Sequence, residues 1–330
     1  MCPMFDVITI GSATRDVFLK SKEFKSRRDH SSPTGFNLPL PLGSKLNVEE
    51  LIFETGGGAT NTAVTFAHQG LSTACICRVG DDPGGKAVVE SLEKEGVNTE
   101  FTRKDRENYT AYSIILVVKS GERTILSFRG ASGAFSEDMF PKGKLDTKWV
   151  VITSLGGNIR LLNDLVASSK EKGAKIALIP GGGELKKGLR VLRPIFAKAD
   201  ILVMNREEAS ELTGIPFEDK ERLDQRTCRL AGGVSIVTDG INGATACDGS
   251  YFYHIGIHEV KAVDRTGAGD AFASGFIVGL MKYENIEGAL ELAIDNSSSV
   301  VSFFGAKKGI LRLGEKPYKE KLAITKQKVK

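Results

Sequence analysis

Short apolar runs and longer amphipathic stretches alternate along most of the chain. A β-branched run at residues 5–10 ends at Gly11, and further apolar runs recur at 73–79, 148–153, 175–180, 201–204 and 234–238. Bounded by glycine, proline or polar residues and too short for a buried helix, they predict buried strands. Between them, 60–69, 85–95, 160–172, 185–197 and 206–212 carry apolar residues at helical spacing, and Gly70 and Gly96 stop the first two. A denser apolar run from Ala271 to Met281 predicts another helix. Strands and helices alternating in this way predict an α/β chain, a three-layer α/β/α sandwich with a mostly parallel central sheet.

Two segments break the rhythm. Residues 111–119 and 123–128 alternate apolar and polar positions around Ser120-Gly121, the signature of a β-hairpin. Residues 18–53 are rich in Pro, Ser and Lys, with weak strand signal only near their end. A small β-sheet lid, made of segments 12–53 and 98–130 inserted in a single domain over 1–330, accommodates both; a plain surface insertion is the alternative. No internal repeat is visible. The lysine-rich tail after Gly314 is expected to fray in solvent.

Composition narrows the function classes. The chain has 330 residues, 37 of them glycine, and a net charge of only +4 with scattered Lys and Arg, which gives no case for a nucleic-acid partner. Its five cysteines are an odd, scattered set; Cys75 and Cys77 share one strand face and lack the two-residue gap of a zinc or redox pair. The four histidines show no metal spacing. The N-terminus carries no signal core and no run approaches membrane-spanning length, which predicts a cytoplasmic, reduced protein with no membrane partner.

The strongest chemical signal is Asp264-Arg265-Thr266-Gly267-Ala268-Gly269-Asp270, directly before the apolar run. Small residues at a helix start leave backbone N–H groups open to an anion, and the dipole favours negative charge there. Asp270 falls in the first turn, so a carboxylate stands beside an anion cradle, an arrangement suited to moving a phosphoryl group onto a hydroxyl. The plainer reading makes Asp270 a charge-complementing residue and the glycines, with Gly275 and Gly279, a tight helix contact. Other motifs are weaker alone. Gly56-Gly57-Gly58-Ala59-Thr60-Asn61 lets a ligand approach backbone and offers Asn61 to a polyhydroxyl compound, or is a loop with an Asn cap. Asn205 and Glu208 follow a strand at a spacing that suits the water shell of Mg²⁺, or form a capping box. Thr238, Gly240 and Gly243 end another strand and offer backbone to a diphosphate, or make a plain turn. The stretch Gly80 to Ala87 misses a P-loop, because Ala87 replaces the metal-binding hydroxyl.

Taken in order, Gly11-Ser12 with Asp16, the Gly56-Gly57…Asn61 loop, Gly80-x-Asp82-x-x-Gly85, Asn205-x-x-Glu208, Thr238-x-Gly240-x-x-Gly243 and the Asp264–Asp270 motif resemble the ribokinase family of carbohydrate and nucleoside kinases, from about Val7 to Gly309. The resemblance implies a kinase with a small β lid that uses ATP and Mg²⁺ to phosphorylate a primary hydroxyl of a sugar or nucleoside. Asp270 would be the general base, and the Gly267, Ala268 and Gly269 amides the anion hole. Asp16, Gly56, Gly57 and Asn61 would hold substrate, and Asn205, Thr238, Gly240, Gly243, Gly267 and Gly269 would line the ATP site. Glu208 would order Mg²⁺ through water. Asp264 would place a monovalent cation such as K⁺ with carbonyls of the 303–309 loop, and lids would pair in a homodimer.

The sequence departs from ribokinases at three points. Thr14 stands where they tend to carry Asn, Gly58 where they carry Lys, and Gly156-Gly157 where they place a Glu for the sugar. Fewer polar partners and extra room would favour a nucleoside or a different ketose over free ribose. An acidic sugar, such as a 2-keto-3-deoxygluconate-like substrate, is the alternative, with Arg129 facing its carboxylate. A Rossmann-type dehydrogenase would need Gly-x-Gly-x-x-Gly after the first strand, which Gly11-Ser12-Ala13-Thr14 does not supply. A catalytically silent metabolite-binding regulator would have no use for Asp270.

Overall fold

The run at 5–10 forms β1 (Phe5–Ile10), buried on both faces, with β6 (Thr73–Ile76) on one side and β11 (Thr147–Ile152) on the other. The structure is a computed structural model that describes residues 5–32, 35–120, 122–140 and 146–329. From β11 the parallel sheet continues through β12 (Lys175–Leu178), β13 (Ile201–Asn205) and β14 (Val234–Thr238). β15 (Ala244–Cys247), β16 (Tyr251–Ile255) and β17 (Ile324–Lys328) extend it antiparallel, giving the order β17-β16-β15-β14-β13-β12-β11-β1-β6.

Alternation along the strands sorts two cores. Val7, Trp149 and Val151 face Phe66 of α1 (Gly58–His68) and the apolar faces of α8 (Ala268–Tyr283) and α9 (Ile286–Val300). Ile8, Ile10, Val150 and Ile152 face α3 (Ile159–Glu171), α4 (Gly182–Leu185), α5 (Leu189–Phe196) and α6 (Arg206–Thr213). The sheet is thus covered on both sides, as an all-apolar parallel strand set requires. α2 (Pro83–Lys94) packs its Val88 and Leu92 with Cys75 and Cys77, both buried and free. α7 (Lys220–Thr227) covers Val237 through Leu223. Gly275 and Gly279 do serve helix packing: a Cβ at either would crowd the Cα atoms of Ala293 and Ala289 on α9.

A second sheet stands beside the first. It contains β2 (Thr14–Lys20), β5 (Glu50–Gly56), β9 (Ala111–Val117) and β10 (Arg123–Phe128) in the order β10-β9-β2-β5. Directly opposed residues share a face. One row joins Glu54, Asp16, Ser113 and Ser127, and the row two residues along each strand from Phe18 to Lys20 brings Glu50, Lys20, Val117 and Arg123 to that same face. The opposite face carries Phe53, Val17, Ile114 and Leu126. Between β2 and β5, β3 (Arg27–Arg28) pairs with β4 (Phe36–Asn37), and β7 (Arg78–Gly80) pairs with β8 (Arg103–Asp105).

Several sequence expectations are corrected. The run at 73–79 splits, because β7 leaves the main sheet to pair with β8. The helix expected over 185–197 is two, broken at Gly188 with φ 83°. The tail does not fray entirely: Ile324–Lys328 pairs with β16 through a full register from Tyr251 to Ile255. The weak strand signal near the end of 18–53 is β5, while β2, for which the sequence showed no strand signal, lies inside the second sheet. Cys228 and Cys247 form a disulfide, against the reading of a reduced chain; the end of α7 lies against β15, with 5.1 Å between the two Cα atoms, within reach of a bond. Gly121 of the hairpin turn and Cys2 lie outside the described residues. Among the described residues no helix is long and apolar enough to cross a membrane.

Candidate active site

The site forms where strand ends meet two helix starts and the second sheet. α8 begins with Gly267 as its N-cap, at φ 78°, with no side-chain cap. A Cβ on Gly267 would collide with Ala306, so glycine is required both by conformation and by contact. Two residues on, a Cβ at Gly269 would meet nothing within 4 Å. The helix start is therefore built tightly on its protein side and open on the other, the condition for an anion to approach backbone N–H groups.

Asp270 follows. Its Oδ2 accepts a 2.8 Å hydrogen bond from Asn61 Nδ2, across a sequence separation of 209. Burial pushes its carboxyl above the usual carboxylate range, while Asn61 and the positive charge of Lys307 pull it back. Asn61 is 4% exposed, and its Oδ1 has no partner among the described residues. A carboxylate can only accept, so the amide turns its NH₂ to Asp270 and leaves its carbonyl oxygen buried without a donor among the described residues. The orphaned oxygen is a buried acceptor that a ligand hydroxyl would satisfy. Asn61 is not a helix cap, since Gly57 holds that position.

Asp16 stands on the inner face of the second sheet, 3% exposed. Burial raises its pKa; hydrogen bonds from Ser113 and Thr14, the latter 3.0 Å to Oδ1, oppose this. A Cβ on Gly56 would collide with Asp16 Oδ2, and one on Gly57, at φ 99°, with the backbone of Ser12 and Ala13. These glycines let β2 and β5 close around the carboxylate. The three departures do not leave the room expected. The Thr14 hydroxyl is taken up by Asp16, and a Cβ on Gly58 would press on Thr153. Gly156 and Gly157 abut the backbone of Gly133 and Gly183. The loop carrying them is held by Glu184, 1% exposed, which accepts from the N–H groups of Leu155 and Gly157.

At the start of α6 the capping box is complete. Asn205 Oδ1 accepts from Glu208 N at 2.8 Å, and Glu208 Oε2 from Asn205 N at 2.9 Å. Burial raises the Glu208 carboxyl, and the negative charges of Glu207 and Asp270 add to the rise. Two carboxylates repelling across one cleft fit a divalent cation between them. Thr238 ends β14; Gly240, at φ 52°, is exposed, and Gly243, at φ 83°, lies so close to Ile255 and Gly256 that a Cβ would collide. Asp239 within this turn is held by Arg206 at 2.7 Å.

Asp264, the first residue of the turn, is surrounded by groups of the protein itself. Its Oδ1 accepts from Thr266 N at 3.0 Å and Thr266 Oγ1 at 2.8 Å and pairs with Arg123 Nη1 at 3.3 Å; its Oδ2 accepts from Gly305 N at 3.1 Å. Three donors thus converge on Oδ1 and one on Oδ2. Arg123 brings a positive charge to this carboxylate from the second sheet.

The reading of the sequence missed Lys307, having considered only carbonyls of its loop. Lys307 Nζ donates to Thr55 Oγ1 at 2.7 Å. Burial pushes its ammonium down to about 8, against the pull of Asp16, the thiols of Cys75 and Cys77, and Glu54. A lysine inside the glycine-flanked stretch Gly305-Ala306-Lys307-Lys308-Gly309 was the available signal. Arg123 was also missed. Arg129, at the end of β10, is exposed and makes no ion pair among the described residues.

Known proteins resemble this chain in sequence and fold. The chain is 27% identical over 326 residues to a ribokinase of Staphylococcus aureus, covering 94% of this chain and 97% of the relative. It is 31% identical over 240 residues, 72% of this chain and 77% of the relative, to an ATP-dependent ribose-1-phosphate kinase of Halopiger xanaduensis. The solved structure of Arabidopsis thaliana ribokinase complexed with ribose and ATP superposes with a TM-score of 0.76 at 22% identity, over 94% of this chain and 96% of that one, which shows the fold. The model of the pfkB family carbohydrate kinases matches residues 4–311, so the open helix start and its carboxylate sit in a phosphotransferase that belongs to that family.

Proposed function

We propose that the protein transfers the terminal phosphoryl group of ATP to a primary hydroxyl of a sugar or nucleoside. One observation carries the reading: Asn61 is fixed on Asp270 through its NH₂ and leaves a buried carbonyl oxygen without a donor. A substrate hydroxyl donating to Asn61 would lie beside Asp270, the group that would accept the proton from the attacking oxygen. Asp16 would take a second hydroxyl, so a vicinal diol is gripped from two sides. The Gly267, Ala268 and Gly269 turn would hold the migrating phosphoryl charge, since its outer side is open. Thr238, Gly240, Gly243 and Asn205 would border the nucleotide. Glu208 would hold Mg²⁺ through water, and that ion would neutralise triphosphate charge when bound. The test is a coupled ADP assay with ATP and Mg²⁺ across pentoses, hexoses, nucleosides, keto-sugar acids and sugar phosphates. Turnover of at least one hydroxyl acceptor is expected; ADP release that no acceptor stimulates would overturn the reading.

A second reading, an acidic or phosphorylated sugar, is favoured by Arg129, which is exposed and unpaired one residue from Gly130 on the loop that approaches Gly156 through Gly133. The ribose-1-phosphate kinase relative supports it. For assembly, we propose a homodimer through the outer lid face, where Leu51, Phe53, Ile114, Leu126 and Phe128 are exposed. Sedimentation at micromolar concentration would read it.

A further inference from the structure

Among the described residues, a single charged contact joins the lid to the anion-hole turn, and its consequence goes beyond the phosphoryl-transfer reading. Arg123 lies on β10, in the row with Lys20 on the inner face of the lid sheet. From there it reaches Asp264, the first residue of the turn, with Nη1 3.3 Å from Oδ1. Asp264 is 5% exposed, and the loop that would surround a cation there is drawn onto the same carboxylate through Gly305 N. Phe304, next to Gly305, packs under Phe18 and lies beneath the Lys20 ammonium at 3.8 Å, so the lid clamps this loop from above. A buried carboxylate needs a counter-charge, and here the protein supplies one.

We infer that Arg123 is the built-in cation of the anion-hole turn, so that the turn is ordered by closure of the lid and not by a free monovalent cation. Lys307 supplies positive charge on the substrate side of the same turn, where it acts on Asp16 and Asp270. Arg123 is a positioning residue: it touches Asp264, whose other donors set the backbone of Thr266 just ahead of Gly267. Without it, Asp264 would be left buried with no charged partner among the described residues, and a small cation could enter.

The experiment has two readouts, of which only the second rests on the kinase reading. Thermal unfolding of the wild type and of Arg123→Gln is followed in potassium chloride and in tetramethylammonium chloride at equal ionic strength. The wild type should show no K⁺-specific rise in Tm, and Arg123→Gln should gain a saturable one. Turnover with the best acceptor is then compared in the same salts. The wild type should change by less than twofold, Arg123→Gln should lose about a hundredfold in tetramethylammonium, the scale of misplaced catalytic geometry, and K⁺ should restore a large part of it. Arg123→Lys should keep its activity without K⁺. A saturable K⁺-specific stabilisation of the wild type, or an Arg123→Gln variant that neither responds to K⁺ in Tm nor loses activity, would overturn the inference. If no acceptor is turned over, the kinase reading fails and the Tm readout still decides this one.

Discussion

At the start of α6, Asn205 and Glu208 close the helix with their own side chains, whereas at the start of α8 Gly267 caps without one and Gly269 faces open space. Both helix starts follow a strand or loop that ends at the cleft, and both carry an acid in the first turn. The difference lies in what satisfies the orphan N–H groups. A capping box answers them internally, so α6 contributes mainly rigidity and one half-buried carboxylate. At the open start no side chain folds back: Ala268 N–H turns to Arg265 O at 3.3 Å, Gly269 faces open space, and the acid meets Asn61. The same sequence signal, a small or polar residue before a helix with an acid behind it, thus serves two purposes according to whether a side chain folds back.

The largest effect expected from breaking this contrast is at Asp270. Asp270→Asn should lower kcat by about two to four orders of magnitude, the range for a positioned general base, with ATP binding little changed. Steady-state kinetics beside nucleotide titration measure both, and near-wild-type turnover would remove Asp270 from the mechanism. Gly269→Val comes next. Its side chain would enter open space, so Tm should hold while kcat falls by about two orders of magnitude, the cost of one lost oxyanion donor. Gly267→Val is the control: φ 78° and the collision with Ala306 should cost stability first. If both variants lose Tm alike, the open-side description fails.

The pH profile sharpens the comparison further. Asp270 must be ionised to accept a proton, so kcat/KM should fall as pH drops through its raised pKa, above the ordinary carboxylate range. Lys307 loses its proton above about 8, and with it the positive charge beside Asp16 and Asp270, so an alkaline limb is expected there. Lys307→Met should remove that limb and move the acid limb upward; an unchanged profile would take Lys307 out of the site. The smallest effect belongs to α6. Asn205→Ala should cost about 1 kcal/mol in chemical denaturation, the usual worth of an N-cap, and reduce activity far less than Gly269→Val.

Much of the central sheet was legible because it depends on local rules. Residues 5–10 and 234–238 coincide with β1 and β14, since runs of β-branched residues ended by glycine or a polar turn leave little choice. The C-terminal strand Ile324–Lys328 was not, because its Thr, Lys and Gln become a strand only against the edge of β16. Similarly, β2 carries Arg15, Asp16 and Lys20 among its apolar residues, a pattern that reads as loop until β5 and β9 flank it. In the site, Asp270, Asn61 and Asp16 were readable as chemistry, while Lys307 and Arg123 gained their roles from where loop and lid deliver them.

By itself the sequence determined the open helix start: glycine at 267 and 269 and a carboxylate at 270 act within one turn, through φ, the absence of Cβ and the dipole. It likewise determined the alternation of strand and helix, because periodicity is a property of neighbouring residues. Only the tertiary structure decided that Asn61 turns its amide onto Asp270, and that Arg123 pairs with the buried Asp264. It also decided that Lys307 is buried deeply enough to titrate near 8. Desolvation and ion pairing depend on which distant segments exclude water from a group, and the sheet and its lid, not the residues adjacent in sequence, choose those segments.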